Sequence, residues 1–196
     1  RPGGPGRCIA GAIASAREVG GDYYEHLWLA DVRVLLVIAD VSGKGTPAAL
    51  IMSAFRAALV SQDGALSELE RLAEKLNAFL NRSVESGRFV TAFFGLLDPG
   101  DGRLQYVNAG HNPALLLRAG GSPEWLAAGG LILGIVPSTT FERGEATLAR
   151  GDLLVLYTDG VTEGADASAE LFGEDRLVAT MRRIGGATCQ AAAAGL

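Results

Sequence analysis

The order of strand-like and helix-like segments is the feature of this sequence that most restricts its fold. Residues 23–29 and 32–40 (YYEHLWL and VRVLLVIAD) flank a short turn and are predicted to form a hairpin. Two helical stretches follow in one block, and the pattern then returns to strands. Because strands and helices are grouped, the order favours an α+β fold with largely antiparallel sheets over a parallel sheet built from βαβ units.

The helical block spans residues 46–84. Thr46 is predicted to cap its first helix, and Pro47 suits the first turn, where a missing N–H costs nothing. The second helix runs through LSELERLAEKLNAFLNRSV, whose apolar residues form one stripe with charges opposite. A last helix is predicted from Glu174, and a strand of small residues at 8–16.

Five further strands are predicted between the helical block and the last helix. The segments at 89–98, 104–111 and 113–119 predict a β-meander, and the sequence DPGDG supplies its first turn. Two more strands are predicted at 140–149 and 153–159, separated by the tight turn ARGD.

Composition limits the class of protein. With 196 residues, 48% of them hydrophobic and 20% charged, the chain is typical of one soluble globular domain with a substantial core. No apolar run approaches the roughly 18 residues of a membrane helix, and a net charge of −5 predicts neither nucleic acid nor an anionic membrane as partner. Cys8 and Cys189 form no disulfide framework or metal cluster, which favours a cytoplasmic location.

The first residues, RPGGPGR, contain neither an initiator Met nor a signal peptide. Their proline and glycine content is typical of a linker. We therefore interpret residues 1–7 as a linker remnant and residues 8–196 as the domain.

The segment SGKGT resembles a phosphate-binding loop. A Walker A loop, G-x-x-x-x-G-K-[ST], would require glycine at position 38 and a hydroxyl side chain after the lysine. Those positions hold Ile38 and Gly45, so both requirements fail and a nucleotide-binding protein is excluded on this motif.

Three aspartates stand beside glycine at predicted strand ends. Asp22 follows Gly20-Gly21, Asp40 closes the apolar run VLLVIA, and Asp159 closes LLVLYT directly before a glycine. One such aspartate is more typical of a turn, whereas three in the same setting favour a site. Carboxylates without a nearby His or Cys cluster suit Mg²⁺ or Mn²⁺. Sequence features of receiver domains, aspartyl-phosphate phosphatases and G-x-S-x-G hydrolases are absent.

Seven motifs occur in one order along the chain: GGDYYE, VIADVSGKGTPAAL, RFVTAFFGLLD, YVNAGHNPALLL, LILGI, GDLLVLYTDGVTE and FGEDRL. Together they resemble the SpoIIE/RsbU-type serine/threonine phosphatases of the PPM (PP2C-like) superfamily. The resemblance implies an α-β-β-α sandwich, in which two antiparallel sheets pack face to face, flanked by helices, with a two-metal site at one end.

The resemblance also implies roles for four residues. Asp22 would bind one Mn²⁺ or Mg²⁺ ion, Asp40 would bridge two ions, the Val41 carbonyl would be a backbone ligand, and Asp159 would bind the other ion. Asp40 and Asp159 are then the catalytic carboxylates. Lys44 is predicted to be an exposed loop residue.

Two departures from the family pattern bear on activity. The chain ends ATCQAAAAGL without the D-D-[IV]-T motif that supplies a further metal aspartate, so the domain is expected to lack its final strand and one metal site to be incomplete. No histidine follows Asp40, where a general acid could sit. His111, in NAGHNP, is expected to hold a turn through hydrogen bonds and not to act as the acid.

The function implied is that of a metal-dependent phosphatase that uses metal-activated water to hydrolyse phosphoserine or phosphothreonine. Its substrate would be a phosphorylated STAS-type anti-sigma factor antagonist in bacterial stress or developmental signalling. An N-terminal sensor domain in the parent protein would regulate it, with the first helix after Asp40 as the switch. The alternative is a catalytically silent module of the same fold that binds a phosphoprotein. The oligomeric state stays open, with a homodimer among the options.

Overall fold

The computed structural model describes residues 8–13, 20–62, 65–84, 87–165 and 168–184. The strands in these ranges are β1 (Tyr23–Trp28), β2 (Val34–Val41), β3 (Val90–Leu97), β4 (Arg103–Ala109), β5 (Ala114–Leu117), β6 (Pro123–Leu126), β7 (Gly129–Gly130), β8 (Gly144–Thr147) and β9 (Leu153–Val155). The helices are α1 (Thr46–Val60), α2 (Leu69–Ser83), α3 (Asp159–Thr162) and α4 (Gly173–Ile184). The predicted linker at 1–7 and the segment 185–196, where the loss of a final strand was expected, lie outside the described residues.

The strands form two sheets. The larger sheet has the order β1-β2-β3-β4-β7, with β8 also paired to β4, and the smaller has the order β6-β5-β9. Among the described residues, every pairing between two of these strands is antiparallel except the two-residue contact between β4 and β7. The predicted hairpin is confirmed as the β1–β2 pair, and the prediction of an α+β fold with largely antiparallel sheets is confirmed with it.

Three apolar clusters stack the elements into four layers. The first lies between the α1–α2 pair and the larger sheet, and includes Phe55, Leu76 and Phe94. The second lies between the two sheets, around Phe93 and Leu116. The third joins the outer face of the smaller sheet to α4. This layering is the expected α-β-β-α sandwich, and it explains why β2 reads as a continuous apolar run, since both of its faces are covered.

The predicted β-meander is wrong at its third strand. β3 and β4 pair as expected, but β5 belongs to the smaller sheet and pairs with β6 and β9. The chain changes sheets after β4 at Gly110, whose positive φ of 69° and contact with Ile132 require glycine. The last two predicted strands also belong to different sheets. β8 pairs with β4 in the larger sheet, and β9 pairs with β5 in the smaller sheet.

Several local predictions are also wrong. Residues 8–13 are not a strand. Thr46 is the first residue of α1 and does not cap it, because the cap position is Gly45, with a φ of 76° and no side-chain cap. Strands β6 and β7 and the short helix α3 were not predicted from the sequence.

The cysteine argument for a cytoplasmic location loses its support, because Cys8 takes part in a disulfide. No helix within the described ranges has both the length and the apolar character needed to cross a membrane.

Candidate metal and active site

Strand register brings Asp22 and Asp40 together at one end of the larger sheet. Tyr23, the first residue of β1, pairs with Ala39 of β2, so Asp22 lies just before β1 beside Asp40. Asp159 reaches the same place from the smaller sheet, as the first residue of α3, a few residues after β9 ends. The structure therefore brings the three predicted carboxylates together.

The electrostatics of these carboxylates reflect their proximity. Burial raises the pKa of Asp40 to about 6, and the negative charges of Asp22 and Asp159 add to that rise. Burial also raises the pKa of Asp22, repulsion from Asp159 adds to that rise, and a hydrogen bond with the Thr158 side chain opposes it. A nearby cation would therefore relieve both the desolvation and the mutual repulsion of these groups.

The Val41 carbonyl points into the same cluster because of how β2 ends. The Ser42 N–H donates to the Phe89 carbonyl at 2.9 Å, on the β3 side. In a trans peptide the C=O of Val41 must then point away from β3, toward β1. A Cβ built on the buried Gly21 would lie 3.0 Å from the Val41 oxygen and 3.2 Å from Asp40 Oδ1. Both oxygens therefore face the same point beside Gly21.

The donor set suits a hard divalent cation. It consists of carboxylate and carbonyl oxygens, which Mg²⁺ and Mn²⁺ prefer. Among the side chains that the structure describes, no group of three or more His, Cys, Asp or Glu could by itself hold an ion. An ion held here would therefore take at most two of these carboxylates and complete its coordination with backbone oxygen and water, as Mg²⁺ can.

Two residues beside the candidate site, one in the loop after β2 and one just before β3, were not predicted from the sequence. The Ser42 hydroxyl accepts a hydrogen bond from the Phe89 N–H at 2.9 Å, which extends the β2–β3 ladder through a side chain. Arg88 Nη1 donates to the Ser42 carbonyl at 3.4 Å, and a Cβ on Gly43 would lie 2.8 Å from that nitrogen. Lys44 is exposed, as predicted. No pattern in the sequence marks Ser42, since its partners lie far along the chain.

His111 is buried and makes four hydrogen-bonding contacts. Its backbone N–H and C=O both bond the Asn108 side chain, at 2.7 and 2.9 Å. Its Nδ1 lies 2.9 Å from Thr91 Oγ1, and its Nε2 lies 3.1 Å from the Tyr157 carbonyl oxygen. The expectation that His111 holds a turn by hydrogen bonds agrees with the Asn108 contacts, while the ring contacts reach beyond the turn.

Comparison with protein families gives one match over most of the chain. The family model described as stage II sporulation protein E (SpoIIE) matches residues 30–196. The chain belongs to the SpoIIE family. The resemblance noted in the sequence is thereby confirmed.

Curated relatives of this SpoIIE-family chain include two longer bacterial proteins. Protein IcfG of Synechocystis is 33% identical over 200 residues, covering 88% of this chain and 32% of IcfG. Phosphoserine phosphatase RsbU of Bacillus subtilis is 34% identical over 155 residues, covering 78% of this chain and 46% of RsbU. The chain thus spans less than half the length of either relative.

Solved structures confirm the PP2C-like fold of the SpoIIE-family chain. A Mycobacterium tuberculosis protein with RsbU and RsbW domains aligns with a TM-score of 0.72 at 31% identity, covering 88% of this chain and 48% of that one. The PP2C domain of SiaA from Pseudomonas aeruginosa aligns with a TM-score of 0.76 at 21% identity, covering 89% and 70%.

Proposed function

We propose that this chain is a metal-dependent protein serine/threonine phosphatase domain that hydrolyses phosphoserine or phosphothreonine on a bacterial regulatory protein. The observation that carries the proposal is the cluster of Asp22, Asp40, Asp159 and the Val41 carbonyl at one end of a PP2C-like sandwich. The names of the curated relatives support it, since RsbU and RsbP of Bacillus subtilis are both called phosphoserine phosphatases.

In this proposal Asp22, Asp40, Asp159 and the Val41 carbonyl would hold two Mn²⁺ or Mg²⁺ ions. Bound ions would supply an activated water at neutral pH and neutralise charge on the phosphoryl group. Three carboxylates without a cation would repel a phosphate dianion, so substrate binding itself should depend on the ions. A magnesium complex is known for the structural relative RsbX, which supports this choice of ion.

In this proposal a water molecule donates the proton to the leaving serine oxygen. His111 could be considered as the acid, because its ring contacts Tyr157, two residues before Asp159. Both of its ring nitrogens, however, already have hydrogen-bonding partners. Burial also lowers the pKa of His111 to about 4, so the ring is neutral at physiological pH.

We further propose that the substrate is a phosphorylated STAS-type anti-sigma factor antagonist and that an N-terminal sensor domain controls the reaction. The support comes from relatives, because one solved protein carries RsbU and RsbW domains together and another belongs to the bacterial stressosome. The greater length of IcfG and RsbU leaves room for a regulatory domain in such proteins.

A catalytically silent phosphoprotein-binding module is the second candidate. The retention of three converging carboxylates argues against it, since unpaired buried charge is costly and a domain without metal chemistry gains nothing from keeping it.

The test is Mn²⁺-dependent phosphate release from a phosphoserine STAS-type protein by the wild-type chain and by Asp40→Asn. Asp101→Asn is the matched control, because Asp101 is an exposed turn aspartate that bonds the Arg103 N–H. Release that requires Mn²⁺, survives in the control and is lost in Asp40→Asn would support the phosphatase. Tight binding of the phosphoprotein by the wild-type chain without any release would favour the silent module instead.

A further inference from the structure

We propose that His111 is a positioning residue that ties the strand carrying Asp40 to the segment carrying Asp159 and so sets the separation of the two carboxylates. This role rests on the proposed metal-dependent function. The argument begins with the way the histidine itself is held.

The His111 backbone is fixed from both sides. Asn108, buried near the end of β4, accepts the His111 N–H at Oδ1 and donates to the His111 carbonyl from Nδ2. His111 is itself only 6% exposed, at the point where the chain leaves the larger sheet for the smaller one. The ring is therefore presented between the sheets from an anchored backbone.

The contacts of the ring determine its tautomer. A carbonyl oxygen can only accept, so Nε2, which lies 3.1 Å from the Tyr157 oxygen, must carry the hydrogen. In a neutral ring Nδ1 is then an acceptor, and the Thr91 hydroxyl donates to it at 2.9 Å. Both ring nitrogens are thus used in directional bonds, and the neutral state that burial favours is the one these bonds require.

The two ring partners lie on opposite sides of the site. Thr91 pairs with Asp40 across the β2–β3 ladder, and its hydroxyl oxygen lies 3.5 Å from the Asp40 backbone oxygen. Tyr157 follows β9 in the smaller sheet and stands two residues before Asp159. One imidazole ring therefore connects the Asp40 strand with the Asp159 segment.

The apolar cluster between the sheets cannot by itself fix the separation of Asp40 and Asp159. Hydrophobic contact is non-directional and tolerates small sliding of one sheet on the other. Two hydrogen bonds at 2.9 and 3.1 Å fix both distance and direction. Ions held jointly by carboxylates from the two sheets would depend on the separation of Asp40 and Asp159, so losing the tie should weaken metal binding more than it weakens the fold.

The experiment compares four variants with a control, by Mn²⁺ titration calorimetry and by thermal unfolding in EDTA. His111→Leu removes both ring bonds, and His111→Gln keeps one donor and one acceptor. Thr91→Val removes one bond, and Thr91→Ser keeps it. Leu104→Ala is the control, since Leu104 is fully buried at the opposite end of β4 and its loss costs stability without touching the tie.

Outer partners of metal ligands typically contribute 10–100-fold to metal affinity. We expect His111→Leu to weaken Mn²⁺ binding about tenfold or more and Thr91→Val by a smaller factor. His111→Gln and Thr91→Ser should recover part of the loss, and Thr91→Val should add little in the His111→Leu background. Leu104→Ala should lower the melting temperature and leave Mn²⁺ affinity unchanged.

A second readout does not require metal. In EDTA, His111→Leu should speed amide hydrogen exchange in residues 156–162, whereas Leu104→Ala should not. Wild-type Mn²⁺ affinity in His111→Leu and in Thr91→Val would overturn the positioning role while leaving the phosphatase proposal standing. A wild-type chain that binds no Mn²⁺ would overturn the metal-dependent function, and the role of His111 with it.

Discussion

At the scale of single residues, Asp40 carries a charge that the metal-free fold does not compensate. Its pKa is raised from an ordinary 3.8 to about 6 by burial and by Asp22 and Asp159. At a pH between these two pKa values, Asp40 is protonated in the folded chain and ionised in the unfolded chain. The free energy of unfolding therefore falls as pH rises from about 4 to about 6 and stays lower above that range.

We predict that Asp40→Asn stabilises the metal-free chain at pH 7.5 by about 1–2 kcal/mol, a value reduced because the side chain is only half-buried. The gain should shrink as the pH falls below about 6 and vanish well below 4, where the wild-type carboxyl is protonated in both states. Urea unfolding in EDTA at several pH values measures it. A gain that does not depend on pH, or an equal gain in Asp101→Asn, would show that relief of charge is not the cause.

Gly21 is the second residue on which the site depends, because it leaves space for two oxygens. A Cβ there would stand 3.0 Å from the Val41 oxygen and 3.2 Å from Asp40 Oδ1, closer than ordinary contact. We expect Gly21→Ala to displace one or both oxygens and weaken Mn²⁺ binding about tenfold or more.

Gly95→Ala is the matched control for this prediction. A Cβ on Gly95 would meet the Leu104 and Phe93 side chains at 3.2 and 3.3 Å, a similar crowding among apolar groups. It should cost stability and leave Mn²⁺ affinity unchanged. Equal Mn²⁺ affinities for the two glycine variants, measured by calorimetry, would mean that Gly21 has no special relation to the metal ligands.

At the scale of elements, the end of β2 converts a strand into the loop beside the candidate metal site. Ser42 is the residue at which this happens, since its N–H and its hydroxyl both bond the backbone of Phe89 at 2.9 Å. The ladder is thereby extended by a side chain while the main chain turns away through Gly43, with a φ of 105°. The direction of the Val41 carbonyl follows from this arrangement.

We predict that Ser42→Ala leaves the Phe89 N–H without its acceptor and lowers the free energy of unfolding by about 1–2 kcal/mol. Amide exchange at Phe89 should accelerate, whereas Mn²⁺ affinity should change little, because the Ser42 N–H bond that directs the Val41 carbonyl is retained. Ser53→Ala is the control, since the Ser53 hydroxyl bonds only Ala49 within α1. Unchanged exchange at Phe89 in Ser42→Ala would contradict the prediction.

At the scale of the whole molecule, the helical layer packs through aromatic rings against the strands next to the candidate site. Phe55 of α1 is fully buried, and its ring centroid lies 6.1 Å from that of Tyr23 and 6.5 Å from that of Phe94. Tyr23 directly follows Asp22 in the chain. The helix that begins after Asp40 therefore packs against the residue next to another predicted ligand.

We predict that Phe55→Ala costs about 3–5 kcal/mol of stability through the cavity it leaves. It should also lower Mn²⁺ affinity, because the β1 residue beside Asp22 loses its packing partner. Leu104→Ala, with a similar cost of about 2–5 kcal/mol, should lower stability alone. Calorimetry well below the melting temperatures separates these effects, and parallel loss of Mn²⁺ affinity in both variants would count against a specific link from α1 to the site.

Much of this fold is encoded in short stretches of sequence. The β1–β2 hairpin, the apolar stripes of α1 and α2, and the start of α4 near Glu174 follow from local periodicity and turn chemistry, which depend on neighbours within a few residues. The glycine-flanked aspartates are local in the same sense. For that reason the sequence by itself indicated the class of fold and the carboxylates of the candidate site.

The tertiary structure decided what depends on distant partners. β5 and β9 are apolar strands like those of the larger sheet, and only pairing shows that they form the smaller one. The direction of the Val41 carbonyl depends on Phe89, and the role of His111 depends on Thr91 and Tyr157, all remote in the chain. Local periodicity carries no information about such contacts, because hydrogen bonds between distant segments form only when the two sheets pack against each other.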